Sequence, residues 1–298
     1  MPKAIKQYIE VAPYLLLGLI CTSVFVFYPM IKGIYMSFFD YKVLQPKESL
    51  FIGLDNYSKL LHDSKFYLSL RNTFLMVAVT VPGQWFFGII VAMAINLKFI
   101  RGKIFFRLVY YIPAISSWIV VSYLFKYLFS DGSDGIINYL LVDVLHLIAE
   151  PIAWLQNSWT ANIAIWTLSV WKGVGWVMVM YLAALMSIPR SLYEAAEIDG
   201  AKGIRMFIHI TLPLMKPMTA FVLINLIIGA FTAFLQVYFL TSGGPLGTTE
   251  VVNTYMFKHA FTFFHFGYGS AVSVVIAVII FILTFSQQRK FGKERIEF

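Results

Sequence analysis

The 298-residue chain is 59% hydrophobic and 17% aromatic but only 13% charged, with a formal net charge of +8. A soluble domain carries about 25% charged residues, so this chain holds more apolar side chain than a water-facing fold of its length can bury, and the excess must face lipid. The positive charge does not mark a nucleic-acid binder, because Lys and Arg sit in short clusters between apolar runs; the single cysteine, Cys21, cannot form an intrachain disulfide and reads as packing within the first run.

A spanning helix needs about 20 apolar residues at ~1.5 Å each to cover ~30 Å of hydrocarbon. Six runs qualify, at 11–31, 72–97, 108–129, 159–188, 217–240 and 268–287. Backbone groups find no partner in lipid, so the runs must be helices, and the expected fold is all-α and polytopic within one domain, 1–298. Lys3 and Lys6 precede the first run as in a signal peptide, but that run is long and has no small-residue cleavage site, which marks a retained anchor. The loop that follows carries six basic and four acidic residues, and 54–70 has helical patterning suited to the membrane face.

Basic clusters follow the second run (Lys98, Arg101, Lys103, Arg107), the fourth (Arg190, Lys202, Arg205, Lys216) and the sixth (Arg289, Lys290, Lys293, Arg295). The segment 131–159 has no Lys or Arg, and 241–267 has only Lys258. The positive-inside rule then places both termini in the cytoplasm. The Asp- and Gly-rich stretch 130–135 and Ser242-Gly243-Gly244-Pro245 read as turns on the opposite side.

Catalytic signatures are absent. There is no G-x-x-x-x-G-K-[ST] phosphate loop and no H-E-x-x-H, and the five histidines (His62, His146, His209, His259, His265) are scattered. None of the six runs contains Asp or Glu, which also removes the carboxylate that an ion-coupled carrier, the alternative transport class, would need.

Two lysines lie within the runs. Lys126 is near the outer end of the third and can snorkel. Lys172 is near the middle of the fourth, where insertion costs ~2.5–3.5 kcal/mol. It either pairs with backbone carbonyls or forms a polar wall of a solute pathway beside Trp171, Gly173, Gly175 and Trp176. The neutral groups Gln84, Ser116, Ser117, Ser122, Asn225, Thr232 and Gln236 fit a hydrophilic cavity or interhelical hydrogen bonds equally well.

The sharpest feature is the cytoplasmic segment 187–217. Pro189 and Gly200 delimit a short helix at about 191–199, whose acidic Glu194, Glu197 and Asp199 alternate with Leu192, Ala195, Ala196 and Ile198. Such a helix suits a groove on a partner or an interfacial position. Glu194-Ala195-Ala196, Asp199-Gly200-Ala201 and Ile210-x-Leu212-Pro213 keep the spacing of the EAA loop, and by them the chain resembles the permease subunits of ABC importers. Further residues resemble the MalF/UgpA-like carbohydrate branch: Phe51-x-Gly53-Leu54-x-Asn56-Tyr57, Asn72-Thr73, Ile112-Pro113, Trp171-Lys172-Gly173, Thr241-x-Gly243-Gly244-Pro245 and Gly267-Tyr268-Gly269.

That resemblance implies a type I ABC-importer permease fold in a bacterial or archaeal plasma (inner) membrane. It implies a second, MalG-like permease, two cytoplasmic ATPase subunits that bind the ATP and magnesium, an extracytoplasmic solute-binding protein and a carbohydrate substrate. The chain itself would bind no cofactor, metal or nucleic acid and catalyse nothing. Glu194, Ala195, Ala196, Asp199, Gly200, Ala201, Ile210, Leu212 and Pro213 would form the ATPase-coupling segment. The family's sugar-contacting positions fall on Ala114, Trp118, Gly173 and Trp176, and in the fifth run on roughly 226–233, with Thr232 its polar candidate; Ser117, Lys172, Asn225 and Gln236 complete the expected pathway.

Overall fold

The computed structural model describes residues 15–97 and 99–291. Lys3, Lys6, the start of the 11–31 run, Lys98, Lys293 and Arg295, all used above to read topology, lie outside the described residues. The chain opens with α1 (Leu15–Met36), an apolar helix carrying a π turn at Ser23–Phe27. A short antiparallel pair follows, β1 (Phe39–Asp40) with β2 (Leu50–Phe51), in which Phe39 faces Phe51. The outer segment 54–70 is not one helix: α2 (Asp55–Leu61) ends before Ser64, where the long α3 (Ser64–Asn96) begins.

The run at 108–129 is broken. α4 (Lys103–Ile115) and α5 (Trp118–Leu128) meet at 97° across Ser116 and Ser117, both of which are extended. After the turn at 130–135 comes α6 (Ile136–Tyr139), prolonged by a π turn at Leu140–Val144. The buried Asn138 ties this segment together: its Oδ1 accepts from Ile152 N (3.1 Å) and Trp154 Nε1 (2.9 Å).

α7 (Ser158–Ser187) starts where the Asn157 side chain accepts from Trp159 N, and it stops before Pro189, which disfavours helix in the preceding residue. Then come α8 (Arg190–Ile198), α9 (Ile204–Leu214) and α10 (Lys216–Phe231), the last two meeting at 72°. The 217–240 run breaks at Thr232 and resumes as α11 (Leu235–Thr241). α12 (Val252–Phe257) and α13 (Phe266–Phe291) complete the described residues. Among the described residues four helices, α1, α3, α7 and α13, are long and apolar enough to cross a membrane, and up to six spans result if each bent pair counts as one.

The chain divides into two compact units. The smaller comprises residues up to Asp63 together with Met256–Ala277. None of the apolar window of α1 is buried. Asn56 Nδ2 donates to the carbonyls of Ser37 (2.9 Å) and Phe39 (3.0 Å), and Tyr57 OH shares a hydrogen bond with Ser37 Oγ (2.7 Å). A Cβ on Gly267 would run into the Phe39 carbonyl, so only glycine lets the two backbones meet. Tyr268 OH donates to Asp63 Oδ2 (2.6 Å). The motif residues of the 51–57 loop and of the sixth run therefore meet as an architectural knot.

The larger unit, Ser64–Tyr255 with the chain from Val278, is organised around α7. Of the apolar window of α7, 61% is buried, against 28% for α3. Small residues bring its neighbours close, the usual route to helix packing where no water drives association. A Cβ on Gly88 would clash with Val177, and one on Gly175 with the Tyr110 carbonyl, which seats α3 and α4 directly on α7. Trp85 Nε1 donates to Tyr181 OH (2.7 Å), which donates in turn to Thr219 Oγ1 (2.8 Å), so a single hydrogen-bonded chain joins α3, α7 and α10. At the other end, Asn72 Nδ2 donates to the carbonyls of Thr248 (2.8 Å) and Glu250 (3.0 Å), and Thr73 Oγ1 accepts from Val252 N (3.0 Å).

Candidate solute cavity and coupling segment

The break between α4 and α5 leaves the last carbonyls of α4 with no following helical turn to supply N–H donors. Lys172 fills that need. Its Nζ donates to Pro113 O (2.7 Å), Ala114 O (3.0 Å) and Ser116 O (2.6 Å), and the residue is only 3% exposed. An ammonium has three donors, and all three are used. The cation also sits at the negative end of the α4 dipole, and its Nζ lies 4.8 Å from the centroid of the Trp118 ring. Pro113 O also accepts from Ser116 N (3.3 Å), so Lys172 is a second donor there, while it serves the partly buried carbonyls of Ala114 and Ser116 across the break; the buried charge and the broken helix compensate one another.

Beside this latch lies a cavity of about 350 Å³. α3 contributes Met76, Thr80 and Gln84, and α5 contributes Trp118. α7 contributes Ser169, Gly173 and Trp176; α10 contributes Asn225, Leu226, Gly229 and Ala230; α11 contributes Gln236. No lining side chain is ionisable. The Thr80 and Ser169 hydroxyls donate back to Met76 O (2.7 Å) and Ile165 O (2.8 Å), leaving their oxygens free to accept. Asn225 Nδ2 donates to Phe221 O (2.8 Å). The amides of Gln84 and Gln236 make no hydrogen bond among the described residues. Gln84 lies directly over Gly173, where any Cβ would collide with its side-chain carbonyl. The cavity thus combines two indoles with two amides that have donors and acceptors to spare, the composition of a site for a neutral polar ligand.

The segment 187–217, the candidate coupling segment, is built from local backbone chemistry. Gly200 ends α8 with φ +81, Gly200 N donates to Glu197 O (3.1 Å), and Ala201 N donates to Ala196 O (2.9 Å). This pair of bonds is a Schellman cap, which asks for glycine at that position. Gly203, at φ +54 and ψ −123, then turns the chain into α9. Ala196 is buried, and Tyr193, one turn before it, packs on the α3–α7–α10 core while its OH reaches Thr211 Oγ1 (3.2 Å). Glu194, Ala195, Glu197 and Asp199 are exposed, and Ile198 is 86% exposed. Ile210, Leu212 and Pro213 lie on α9, half-buried. One face of α8 is therefore anchored, and the other presents acid and isoleucine outward.

Of the expected pathway residues, Trp118, Gly173, Trp176, Asn225 and Gln236 line the cavity. Ala114 and Ser117 lie at the break, and Lys172 points its ammonium at the break carbonyls instead of into the cavity. Thr232 follows α10, exposed, with its hydroxyl donated to Ile228 O (2.8 Å). Leu226, Gly229 and Ala230, from the expected 226–233 stretch, also line the cavity; sequence reasoning missed Met76, Thr80 and Ser169 on its wall and Gly203 in the turn after α8. A lone hydroxyl in an apolar helix carries no signal of its own, whereas a second glycine three residues after Gly200 does.

Comparison with known proteins agrees with this architecture. Residues 84–291 match the family described as binding-protein-dependent transport system inner membrane component. The chain is 36% identical to the probable ABC transporter permease protein YurN of Bacillus subtilis, over 96% of this chain and 98% of that one. It is 34% identical to the lactose transport system permease protein LacF of Rhizobium radiobacter, over 95% of each. In fold it is similar, with a TM-score of 0.83 over 99% of both chains and 24% identity, to a chain in the crystal structure of a bacterial alginate ABC transporter in complex with an alginate pentasaccharide-bound periplasmic protein. The chain belongs to the binding-protein-dependent ABC-transporter permeases, multi-pass inner-membrane components that carry solute and are not themselves catalytic.

Proposed function

We propose that this chain is one half of the translocation pathway of an importer for an uncharged carbohydrate, driven by ATP hydrolysis on partner subunits. The observation that carries the substrate class is the cavity itself. Two indoles offer flat apolar faces on which a sugar ring can lie, and the Gln84 and Gln236 amides face the same space with no ionisable neighbour. A related permease serves a lactose transport system, which supports the same class. An ion-coupled carrier is disfavoured because no apolar run contains the carboxylate that would bind the ion.

In this reading the chain works as a single permease domain with both termini in the cytoplasm. It pairs with a second, MalG-like permease, receives solute from an extracytoplasmic binding protein and rests on two ATPases that hold the ATP and magnesium. Glu194, Ala195, Ala196, Asp199, Gly200 and Ala201 form the contact with one ATPase, and Ile210, Leu212 and Pro213 carry its displacement along α9 into α10. The support is physical: α8 is tied to the helical core through Tyr193 and Ala196 while its opposite face is bare. An element that is fixed on one side and open on the other can pass a difference in partner contact to the spans it is fixed to.

The test is uptake into proteoliposomes that hold the chain with its native partner subunits, screened with a panel of labelled mono- and oligosaccharides and their acidic counterparts. ATP-dependent uptake of a neutral sugar supports the reading. Uptake restricted to acidic sugars, or indifferent to ATP, would overturn it.

A further inference from the structure

A buried and fully hydrogen-bonded charge of the larger unit is not on the cavity wall. Lys172 shares α7 with Gly173 and Trp176, which do line the cavity, yet its ammonium is turned to the break between α4 and α5. There it touches both sides of the discontinuity at once. On one side are the carbonyls of Pro113, Ala114 and Ser116; on the other is the face of Trp118, the first residue of α5, with its centroid 4.8 Å away. We propose that Lys172 is a positioning residue: it latches the break in the third span and so holds the Trp118 indole as a wall of the solute cavity.

Three features carry this. The carbonyl bonds consume every donor of the ammonium, so Lys172 has nothing left with which to bind a solute anion. Only Ser117 separates the last latched carbonyl, that of Ser116, from Trp118, so fixing the former fixes where α5 begins. The close seat of α4 on Gly175, one helical turn or less from Lys172, keeps the lysine stem within reach of the break. Methionine would match much of the stem but take the Lys172 donor from all three carbonyls, leaving Pro113 O only the N–H of Ser116. Arginine would keep the charge but spread its donors in one plane, a poor match for acceptors arranged around a point. This inference rests on the reading of the cavity as a solute pathway, and its test separates the two.

The full chain is purified with its native partner subunits into lipid nanodiscs. The emission of Trp118 is isolated as the difference between the wild-type complex and the Trp118→Phe complex, because the chain holds seven tryptophans. In a Lys172→Met background the acrylamide quenching constant of that difference is expected to rise about twofold as the indole is released from the cation, with Lys172→Arg in between. For the sugar found in the uptake screen, Lys172→Met is expected to raise KM about tenfold with little change in Vmax, and Lys172→Met with Trp118→Ala to be no worse than Trp118→Ala alone. Unchanged quenching in Lys172→Met overturns the proposal. If that variant does not assemble, unchanged quenching in Lys172→Arg overturns it equally. A quenching change with additive KM effects also contradicts it, because Lys172 would then act apart from Trp118. A quenching change in a complex that transports no sugar leaves the latch standing and removes the solute reading instead.

Discussion

The two bent helix pairs meet the same need with opposite chemistry. The 97° bend between α4 and α5 interrupts the helix within an apolar run, and a cation from α7 replaces the missing donors. The 72° bend between α9 and α10 keeps its own backbone bonds running through the corner, from Met215 N to Thr211 O (3.1 Å) and from Thr219 N to Met215 O (2.8 Å), with Pro213 and Pro217 beside it. The first bend is held from outside by three short charge-assisted bonds. The second depends on local backbone geometry and on burial of Met215. Under the proposed function, a wall that presents an indole to solute needs the first kind of bend, and a lever between α8 and a span is suited to the second.

That contrast predicts where damage shows. The largest effect belongs to the lever: a Glu194→Lys, Gly200→Asp double variant should lower ATP-driven uptake at least ~100-fold while the chain still inserts and the cavity is intact. Normal uptake would detach α8 from transport. Next, Lys172→Met should cost about 2 kcal/mol of stability, read as a lower unfolding temperature in nanodiscs, because the partly buried Ala114 and Ser116 carbonyls lose their Lys172 donor and Pro113 O keeps only the Ser116 N–H. An unchanged midpoint would show that the bend holds without its cation.

Smaller effects sort the cavity from its frame. Gly173→Ala should push the Gln84 amide aside and raise KM about tenfold with Vmax nearly unchanged. Gln236→Leu, which removes one free amide and keeps the volume, should raise KM about fivefold. Equal losses of Vmax in these variants would move both residues from binding to conformational change. The smallest effect is Gly200→Ala, which places a Cβ in open space at φ +81 and should destabilise the cap by about 1–2 kcal/mol. Uptake should fall modestly, far less than in the charged double variant.

The contrast also explains what the sequence made legible. The cap after α8 is a local event, and a glycine that must adopt positive φ announces itself at Gly200. The break in the third span is not local. Ser116 and Ser117 look like two more tolerated hydroxyls in an apolar run, and the donor that makes a break there affordable lies 59 residues from Pro113 in sequence. Lys172 therefore drew attention as an oddity before its partners were visible, and pairing with carbonyls was one of its two sequence readings. Trp176 is legible beside Lys172 and Trp118 through its family position, whereas Thr80 and Ser169 become cavity residues only when α3 and α7 are seated against one another. The outer-loop motif Asn56-Tyr57 was equally visible, but its work is to hold the chain at Ser37 and Phe39.

The central claim is that this permease carries a neutral sugar with energy from ATP. The most direct measurement is uptake of labelled sugar into proteoliposomes containing the complete complex, with proton and sodium gradients collapsed by ionophores. The account predicts uptake that persists without the gradients and stops when ATP is withheld. Uptake that follows the gradients and continues without ATP would contradict it.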